Sequence, residues 1–343
     1  MGFSLNYQVK KQLKNDGLYR QMREALAEME AQLKTLCRSE QIEMAQNLER
    51  VVMAGGKRLR PTLAWICHRI GRDTEENAAN GRGRKLEILP LMCMVELMHT
   101  ASLIHDDVVD DAPLRRGVAT IHETSGRLCA VQSGDFLLGR AMEYLHIYRG
   151  TGINEALADI STQMCLGEFQ QMESLFDTGK QNRDTYYEQI RRKTAYLIAT
   201  SCYCGGIAGG LSPEQCQALK KYGEQIGIAF QLKDDILDFT GTDVFGKPLG
   251  QDLRRGIFTL PILYSFDTNP DKKMEQLAAK QKKNQEEVDT LVNYVSESRG
   301  IEHTEFQIRV CSHEAIRALE ILPECSEKDA LIQMAQTLRK RKL

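Results

Sequence analysis

Two short aspartate clusters share one spacing and could bind the same kind of ligand. The clusters are DDVVD, with Asp106, Asp107 and Asp110, and DDILD, with Asp234, Asp235 and Asp238. On a helix the first and last aspartates of a cluster lie on one face, because they are four positions apart. Their like charges repel each other, and neither run contains a cation to balance them. A bound cation would offset the repulsion, so each cluster is a candidate metal site.

The donor atoms indicate which metal these sites prefer. Carboxylate oxygens without His or Cys favour magnesium, with manganese as an alternative, over zinc. Magnesium uses few protein carboxylates and keeps positions for water and for the phosphate oxygens of a substrate. A solvated helix end would explain one such cluster, but two copies that both close apolar helices favour metal binding. The sequence therefore predicts a magnesium-bound, phosphorylated ligand.

Basic residues that could hold such an anion occur in two runs. GGKRLRP (55–61) supplies Lys57, Arg58 and Arg60, and its two glycines allow close backbone approach. Arg115 and Arg116 follow the first aspartate cluster, and arginine can grip phosphate oxygens with two parallel hydrogen bonds. Neither run has the order of a P-loop, and no G-x-G-x-x-G stands out, so nucleotide-binding folds are poorly supported. Together with the aspartates, these runs predict a diphosphate site.

Long helices must position both clusters. Apolar residues recur at helical spacing over 86–109, with Pro113 as a stop. A second helix is predicted from Pro213 to about Phe239, with Ser212 as N-cap and Gln215 completing a capping box. Residues 71–85 and 240–258 are predicted loops, and 71–85 and the first 15 or so residues are expected to be mobile. With no composition break, we predict one all-α domain over residues 1–343.

Composition excludes several classes of protein. The 343 residues carry a formal net charge of -2, which gives no basic field for nucleic acid. The ten cysteines include no C-x-x-C pair, so free thiols in a reducing cytoplasm are expected. The start lacks the apolar core of a signal peptide, and the run 197–211 is too short to span a bilayer.

The chain closely resembles the trans-polyprenyl diphosphate synthases along most of its length. The resemblance is carried, in order and spacing, by GGKRLRP (55–61), ELMHTASLIHDDVVDDAPLRRG (96–117), GDFLLGRA (134–141), KTAYLI (193–198), GIAFQLKDDILDF (227–239) and GKPLGQDLRRGIFTLP (246–261). It implies a single large helical bundle of the isoprenoid synthase type with a central active-site cavity. It also implies a prenyltransferase that condenses isopentenyl diphosphate with an allylic diphosphate, with two or three Mg²⁺ ions. A homodimer with at most peripheral membrane contact for product release is the expected form.

The resemblance also assigns roles to individual residues. The isopentenyl diphosphate site would consist of Lys57, Arg60, His99 and Arg116. The allylic diphosphate site would consist of Arg115, Lys193, Gln231 and Lys247. The principal metal ligands would be Asp106, Asp110 and Asp234, with Asp107, Asp235 and Asp238 in support. Dipoles of Lys193, Thr194 and Gln231 would stabilise an allylic carbocation. The family often has lysine where this chain has Ile257, and Arg254 or Arg255 would have to compensate.

Product length is also predicted from the residues before the first cluster. In the family, positions four and five before the first aspartate form the ceiling of the product tunnel, and here they are the small residues Ser102 and Ala101. Met98 lies one turn deeper and can move aside because methionine is flexible. We therefore expect a product of roughly six to eight isoprene units, since one unit is about as long as one helical turn.

Three other functions remain open. A shorter-chain farnesyl or geranylgeranyl diphosphate synthase differs only in its tunnel. A class I terpene cyclase shares the first cluster but usually lacks the second, and it lacks GGKRLRP. A subunit of a heteromeric synthase would tend to lose the aspartates, whereas this chain keeps all six.

Overall fold

The structure, a computed structural model, describes residues 17–71, 86–240 and 249–340. It confirms the all-α prediction, because the only strands in these ranges are a ribbon of β1 (Leu114–Arg115) and β2 (Val118–Ala119). The segments predicted to be mobile lie outside the described residues, except for Gly71.

By packing, the chain divides into two compact units, which we describe separately. The first covers the described parts of Met1–Ala158, Thr200–Lys220 and Ile321–Leu331, and the second covers those of Asp159–Ala199, Lys221–Glu320 and Ile332–Leu343. The α-helices up to the second aspartate cluster are α1 (Gly17–Leu36), α2 (Ile42–Met53), α3 (Leu59–Ile70), α4 (Ile88–Val109), α5 (Ile121–Met142), α6 (Ile153–Ser174), α7 (Arg183–Ile190), α8 (Tyr196–Ala208) and α9 (Pro213–Thr240). The later ones are α10 (Gln251–Arg255), α11 (Leu260–Thr268), α12 (Lys272–Ala279), α13 (Gln285–Glu297), α14 (Gly300–Ala318) and α15 (Ser326–Lys340). Short 3-10 helices lie at Leu145–Tyr148 and Leu319–Ile321.

Helix α4 is the central helix of the first unit. It packs against α1, α3 and α5, and its side chains from Pro90 to Met98 are all buried. This confirms the helix predicted over 86–109, with a start at Ile88. The helix is long and apolar enough to cross a membrane, but 67% of its most apolar window is buried inside the protein. Burial of this kind is typical of a core helix in a globular unit.

Close packing of α3 against α8 depends on glycine. A Cβ at Gly205 would lie 2.4 Å from the carbonyl oxygen of Ala64, and one at Gly209 would lie 2.4 Å from that of His68. Ala64 and His68 are four residues apart on α3, so one face of that helix supplies the contact. Gly205 and Gly209 are also four residues apart, at the C-terminal end of α8 and just after it. The missing side chains let the two backbones approach.

Helix α9 begins as its sequence predicts. The Ser212 hydroxyl accepts from the Gln215 amide at 3.3 Å, and the Gln215 side chain accepts from the Ser212 amide at 3.0 Å. This reciprocal capping box satisfies two N–H groups that the helix leaves unpaired. The helix then runs to Thr240 and ends with the second aspartate cluster.

In the second unit, α11 packs against α7, α13 and α14. A π-helix, Arg191–Ala195, joins α7 to α8 and carries Lys193 and Thr194. Short π-helical segments occur frequently at functional sites. The predicted loop over 240–258 is partly wrong, because residues Gln251–Arg255 form α10. The helix forms because Asp238, at the end of α9, accepts hydrogen bonds from the first amides of this helix and so caps it.

All ten cysteines are free, and most are buried. Burial raises the pKa of several thiols, for example that of Cys93 to about 12, so these side chains stay protonated and act as small apolar groups.

Candidate active site

The first aspartate cluster lies at the C-terminal end of α4. Asp106 and Asp110 are both half-buried, and the Asp110 amide donates to the Asp106 carbonyl at 2.8 Å, which closes the last turn. Asp111 follows with a φ of 51° and ends the helix in the left-handed region. The predicted pair, Asp106 and Asp110, therefore shares one face of a regular helix end.

Asp107 points elsewhere and is buried. Its Oδ1 accepts a hydrogen bond from Arg115 Nε at 2.6 Å and forms an ion pair with Arg115 Nη2 at 2.5 Å. Burial raises the pKa of Asp107, although the Arg115 guanidinium opposes that shift. Arg115 is predicted to bind the allylic diphosphate. In the structure, its guanidinium is paired with Asp107 of the same unit.

Arg115 and Arg116 are presented by the β1–β2 hairpin. Leu114 pairs with Ala119 and Arg115 with Val118, so Arg116 and Gly117 form the two-residue turn. Both turn residues have positive φ, 52° and 81°, as a type I′ turn requires. A left-handed arginine is uncommon, and such strain is concentrated at functional sites.

Arg116 reaches back to the basic segment. Its Nη1 donates to the carbonyl oxygen of Gly55, and a Cβ at Gly56 would lie only 2.8 Å from the same nitrogen. The two glycines of GGKRLRP therefore make room for an arginine side chain from the hairpin. Sequence reasoning predicted close backbone approach at this point but not the group that approaches.

Arg60 and His99 complete the basic cluster of the first unit. The pKa of Arg60 is lowered to about 10, chiefly by burial and also by the charge of Arg116, while the charge of Glu96 opposes the shift. The pKa of His99 lies well below its usual value, first because of desolvation at this half-buried position and second because the positive charges of four arginines (Arg58, Arg60, Arg115 and Arg116) act on it. His99 is therefore a neutral hydrogen-bonding group within a strongly positive environment. Lys57, also predicted here, is half-buried in the turn before α3.

In the second unit, the three aspartates of DDILD have different surroundings. Asp234 is exposed, as a ligand for an incoming group must be. Asp238 caps α10, with Oδ1 2.9 Å from the Gln251 amide and Oδ2 3.1 Å from that of Asp252. Asp235 is buried, and burial raises its pKa well above the usual value.

Polar side chains hold Asp235 and Gln231 in place. Tyr186 donates its hydroxyl proton to Asp235 Oδ2, and Gln231 Nε2 donates to Asp235 Oδ1 at 3.0 Å. The Thr194 hydroxyl donates to Gln231 Oε1 at 2.9 Å. These linked hydrogen bonds fix the orientation of the Gln231 side-chain amide, so the amide dipole is preorganised.

Lys193 lies on the π-helix in an acidic setting. Its Nζ is 2.6 Å from Glu168 Oε2 and 3.4 Å from Gln171 Oε1, both on α6. The cation that is predicted to bind the allylic diphosphate is thus held by a carboxylate and an amide of the same unit.

The position of the family lysine remains occupied by Ile257, which is half-buried. Arg254 donates to the carbonyl oxygen of Lys283 at 3.2 Å and to Gln285 Oε1 at 2.5 Å, so its guanidinium is committed to α13 and the residues before it. Arg255 is exposed, and its exposure keeps it a candidate to replace the lysine. Lys247 lies outside the described residues.

The residues predicted to set product length lie side by side on α4. Ala101 and Met98 are buried, and Ser102 is half-buried and donates its hydroxyl to the His99 carbonyl at 2.8 Å. Ala101 and Ser102 have small side chains. A bulky side chain at either position would project farther from the helix. Their role in product length stays a prediction.

The donor chemistry at the end of α4 fits magnesium. In the described parts of the chain, no group of three His, Cys, Asp or Glu side chains is arranged to hold a metal alone. Magnesium does not need one, because it is usually bound by one or two carboxylates together with substrate phosphates and water. Asp106 and Asp110 supply such a pair, and Asp234 supplies an exposed carboxylate in the other unit.

Three residues of these clusters escaped sequence reasoning. Glu96, Glu168 and Tyr186 each bond to a predicted site residue or its neighbour. Only Glu96 carried a usable signal, because a lone acid in an apolar helix needs a buried partner. Glu168 and Tyr186 lie in ordinary polar helices, and only their three-dimensional neighbours distinguish them.

Comparison with known proteins agrees with this geometry. The sequence model of the family described as Polyprenyl synthetase matches residues 41–295, which is well over half of the chain. The chain belongs to the polyprenyl synthetase family. The matched range includes all residues assigned above to the two clusters and the basic segment.

Named relatives within the family point to long products. The chain is 33% identical to heptaprenyl diphosphate synthase component 2 of Bacillus subtilis, over 92% of this chain and 87% of that one. The structure matches a decaprenyl diphosphate synthase from Rhodobacter capsulatus with a TM-score of 0.85 at 27% identity, over 98% of both chains. It also matches a polyprenyl synthase from Caulobacter crescentus complexed with calcium and isoprenyl diphosphate, with a TM-score of 0.84 at 29% identity over 95% and 97% of the two chains.

These findings confirm the predicted enzyme class. The protein is a prenyltransferase of the trans-polyprenyl diphosphate synthase type, with the all-helical fold of that family. The class I terpene cyclase alternative is not supported.

Proposed function

We propose that the protein makes a long-chain all-trans polyprenyl diphosphate of roughly six to eight isoprene units by successive addition of isopentenyl diphosphate to an allylic diphosphate, since each helical turn of tunnel accommodates about one unit. The supporting observation lies in the first unit: the charges of four arginines act on His99, which lies on α4, the helix that ends with Asp106 and Asp110. His99 of the basic cluster and the carboxylates for a metal-bound diphosphate therefore share a rigid element, about two turns apart.

We propose that Lys57, Arg60, His99 and Arg116 bind isopentenyl diphosphate. The arginines supply charge-assisted hydrogen bonds to phosphate oxygens. Neutral His99 can donate one N–H without adding to the repulsion among the arginines. A diphosphate anion would offset that repulsion, which adds to the effect of burial in lowering the pKa of Arg60.

The allylic diphosphate is assigned to Arg115, Lys193, Gln231 and Lys247, with Arg255 in place of the lysine that Ile257 replaces. Mg²⁺ would be held by Asp106, Asp110 and Asp234, with Asp107, Asp235 and Asp238 in support, and when bound it neutralises charge on the leaving diphosphate as a Lewis acid. The number of ions, two or three, and the use of Mn²⁺ belong to the same proposal.

The bond changes then follow from the two substrates. The allylic C–O bond breaks, and the diphosphate leaves with the electron pair. The terminal alkene carbon of isopentenyl diphosphate bonds to the allylic cation, and the product loses one proton to the released diphosphate. Thr194 and Gln231 present fixed oxygen dipoles that stabilise positive charge. Apolar side chains exclude water that would otherwise trap the cation.

The test is incorporation of labelled isopentenyl diphosphate with farnesyl or geranylgeranyl diphosphate as primer and magnesium in the buffer. We expect extractable products that range up to about six to eight units, in line with the helical-turn estimate. Chelation of divalent ions should abolish incorporation, and added magnesium should restore it. Products that stop at about three or four units with excess isopentenyl diphosphate would instead support a shorter-chain synthase.

A second candidate is a catalytic subunit of a heteromeric synthase. The observation that favours it is the name of the Bacillus subtilis relative, component 2 of a heptaprenyl diphosphate synthase. In that case the purified chain alone would incorporate little label, and a second protein would restore activity. We retain the homodimer as the first proposal, and we place the enzyme in the cytoplasm, where free thiols persist.

A further inference from the structure

Arg58 is the middle cation of the basic segment, yet it is only 5% exposed. Its guanidinium donates from all three nitrogens: Nε to Glu30 at 3.2 Å, Nη1 to Glu96 at 2.5 Å, and Nη2 to the carbonyl oxygen of Val52 at 2.7 Å. These partners lie on α1, α4 and α2. Since each nitrogen already has a partner inside the protein, the Arg58 guanidinium is poorly placed to bind an external anion.

The main partner of Arg58 is an unusual carboxylate. Glu96 is 2% exposed and lies in the apolar body of α4, three residues before His99. Its negative charge acts on Arg58 and also on Arg60 and Arg116. One buried carboxylate thus lies within electrostatic reach of three arginines, and in the structure it pairs with Arg58.

We propose that Arg58 is a positioning residue that occupies Glu96 and thereby leaves Arg60 and Arg116 directed toward the diphosphate of isopentenyl diphosphate. An unpaired buried carboxylate is strongly unfavourable, so without Arg58 it would draw in another cation. Arg60 and Arg116 are the other arginines on which the charge of Glu96 acts. The inference rests on the proposed function, because it assumes that this cluster binds isopentenyl diphosphate.

The backbone at Arg58 supports the same role. Arg58 is the N-cap of α3 with φ 46° and ψ 38°, a left-handed conformation that is uncommon for a residue with a Cβ. Its side-chain bonds to three helices hold that conformation in place. Lys57 precedes this turn and Arg60 lies in the first turn of α3, so the buried arginine also sets their directions.

A double-mutant cycle tests the proposal, with Arg58→Met, Glu96→Gln and the two combined. In Arg58→Met we expect the KM for isopentenyl diphosphate to rise about tenfold or more, with kcat and the KM for the allylic primer within about threefold of wild type. In the double variant the carboxylate is gone and cannot capture Arg60 or Arg116. Its KM for isopentenyl diphosphate should return to within about threefold of wild type.

Two results would overturn the proposal. One is an equal rise of both KM values in Arg58→Met, which indicates general damage to the fold. The other is a double variant as defective toward isopentenyl diphosphate as Arg58→Met alone. If Arg58→Met does not fold, the same comparison is made with Arg58→Lys, which keeps the charge but can reach fewer partners; adding Glu96→Gln must again lower the raised KM.

Glu327→Gln is the matched control. Arg69 and Glu327 form another buried ion pair of the first unit, at 2.8 Å, and neither belongs to the basic cluster. Breaking it should lower thermal stability but leave the KM for isopentenyl diphosphate unchanged. Wild-type protein that fails to incorporate isopentenyl diphosphate would contradict the proposed function itself, whereas active wild type with the wrong pattern among the variants would contradict only the role of Arg58.

Discussion

At the scale of single residues, the six aspartates differ in exposure. Asp106 and Asp110 are half-buried at a helix end and Asp234 is exposed, whereas Asp107 and Asp235 are buried and bonded to other side chains. The exposed and half-buried ones are suited to bind metal, and the buried ones to orient Arg115 and Gln231. Aspartates at different positions of the same motif are therefore suited to two different roles, metal binding and the orientation of other side chains.

We predict that Asp106→Ala and Asp234→Ala each lower kcat by about three orders of magnitude, equivalent to ~4 kcal/mol of transition-state stabilisation. The reason is that each removes a carboxylate proposed to hold the metal that neutralises the leaving group. Steady-state incorporation assays with magnesium measure the effect, and circular dichroism checks the fold. Asp111→Ala is the control, because Asp111 is an exposed member of the same acidic run that pairs with Arg127 at 2.8 Å. Near-normal turnover in either cluster variant would refute the prediction.

We also predict a pH dependence of stability that originates at His99. Its folded-state pKa lies well below the usual value, whereas the unfolded chain has a His pKa near 6.5. Below about pH 6.5 the unfolded chain therefore binds a proton that the folded chain does not, and the free energy of unfolding falls. Urea titrations at pH 7.5 and 5.5 should show a loss about 1 kcal/mol larger in wild type than in His99→Gln. Equal losses in the two proteins would show that His99 does not contribute.

At the scale of elements, α4 carries residues for which we propose three tasks. These are His99 of the basic cluster, Ala101 and Ser102, which are proposed to set product length, and the first aspartates at the end of the helix. A rigid core helix keeps such groups at fixed separations of 1.5 Å per residue. This is why one short run of sequence carries the predictions about both chemistry and product length.

We predict that Ser102→Phe shortens the product to about four units or fewer, because the ring would project where the growing chain is proposed to pass, about one turn before Asp106. Ser102 is half-buried and can accept a larger side chain. Ala101→Phe should act in the same direction but also cost about 1–3 kcal/mol of stability, since Ala101 is fully buried. Chromatography of the dephosphorylated products measures the shift. An unchanged distribution in both variants would rule out this view of the tunnel.

The contact between α3 and α8 yields a stability prediction. Gly205→Ala should lower the free energy of unfolding by about 1–3 kcal/mol, because its Cβ would lie 2.4 Å from the Ala64 carbonyl oxygen and force the helices apart. Gly139→Ala in α5 is the matched control. Nothing lies within 4 Å of its Cβ, so it should be neutral or stabilise by up to about 1 kcal/mol. Denaturant unfolding compares the two, and equal effects would contradict the role of close packing.

At the scale of the whole molecule, one surface is suited to association with another protein chain. Helix α5 exposes apolar side chains, among them Leu128 at 73% and Met142 at 61%. Exposed apolar groups that recur on one element often mark a surface for another protein chain.

We predict that the purified chain is an active homodimer. Sedimentation equilibrium at assay concentrations should give twice the chain mass of 38.9 kDa, and Leu128→Lys should shift the mass toward the monomer. The physical reason is loss of apolar burial together with like-charge repulsion across a two-fold interface. An active monomer would refute the homodimer, and an inactive chain rescued by a second protein would establish the heteromeric alternative.

The sequence by itself determined the fold class, the enzyme class and the two helices that end in aspartates. The fold class and the two helices depend on local information: helical periodicity, the capping box at Ser212, and the spacing within DDVVD and DDILD. The enzyme class depends on the resemblance of several short motifs, in order and spacing, to those of the trans-polyprenyl diphosphate synthases. Such signals act over a few residues, so they can be recognised without knowing which parts of the chain meet.

Tertiary structure alone decided the partners. Nothing in the sequence pairs Tyr186 with Asp235, Arg116 with Gly55, or Arg58 with Glu96, because each contact joins segments far apart in the chain. The helix α10 was missed for the same reason, since its cap, Asp238, lies on another helix. Burial and charge at a site depend on all the elements packed around it, and only folding brings those elements together.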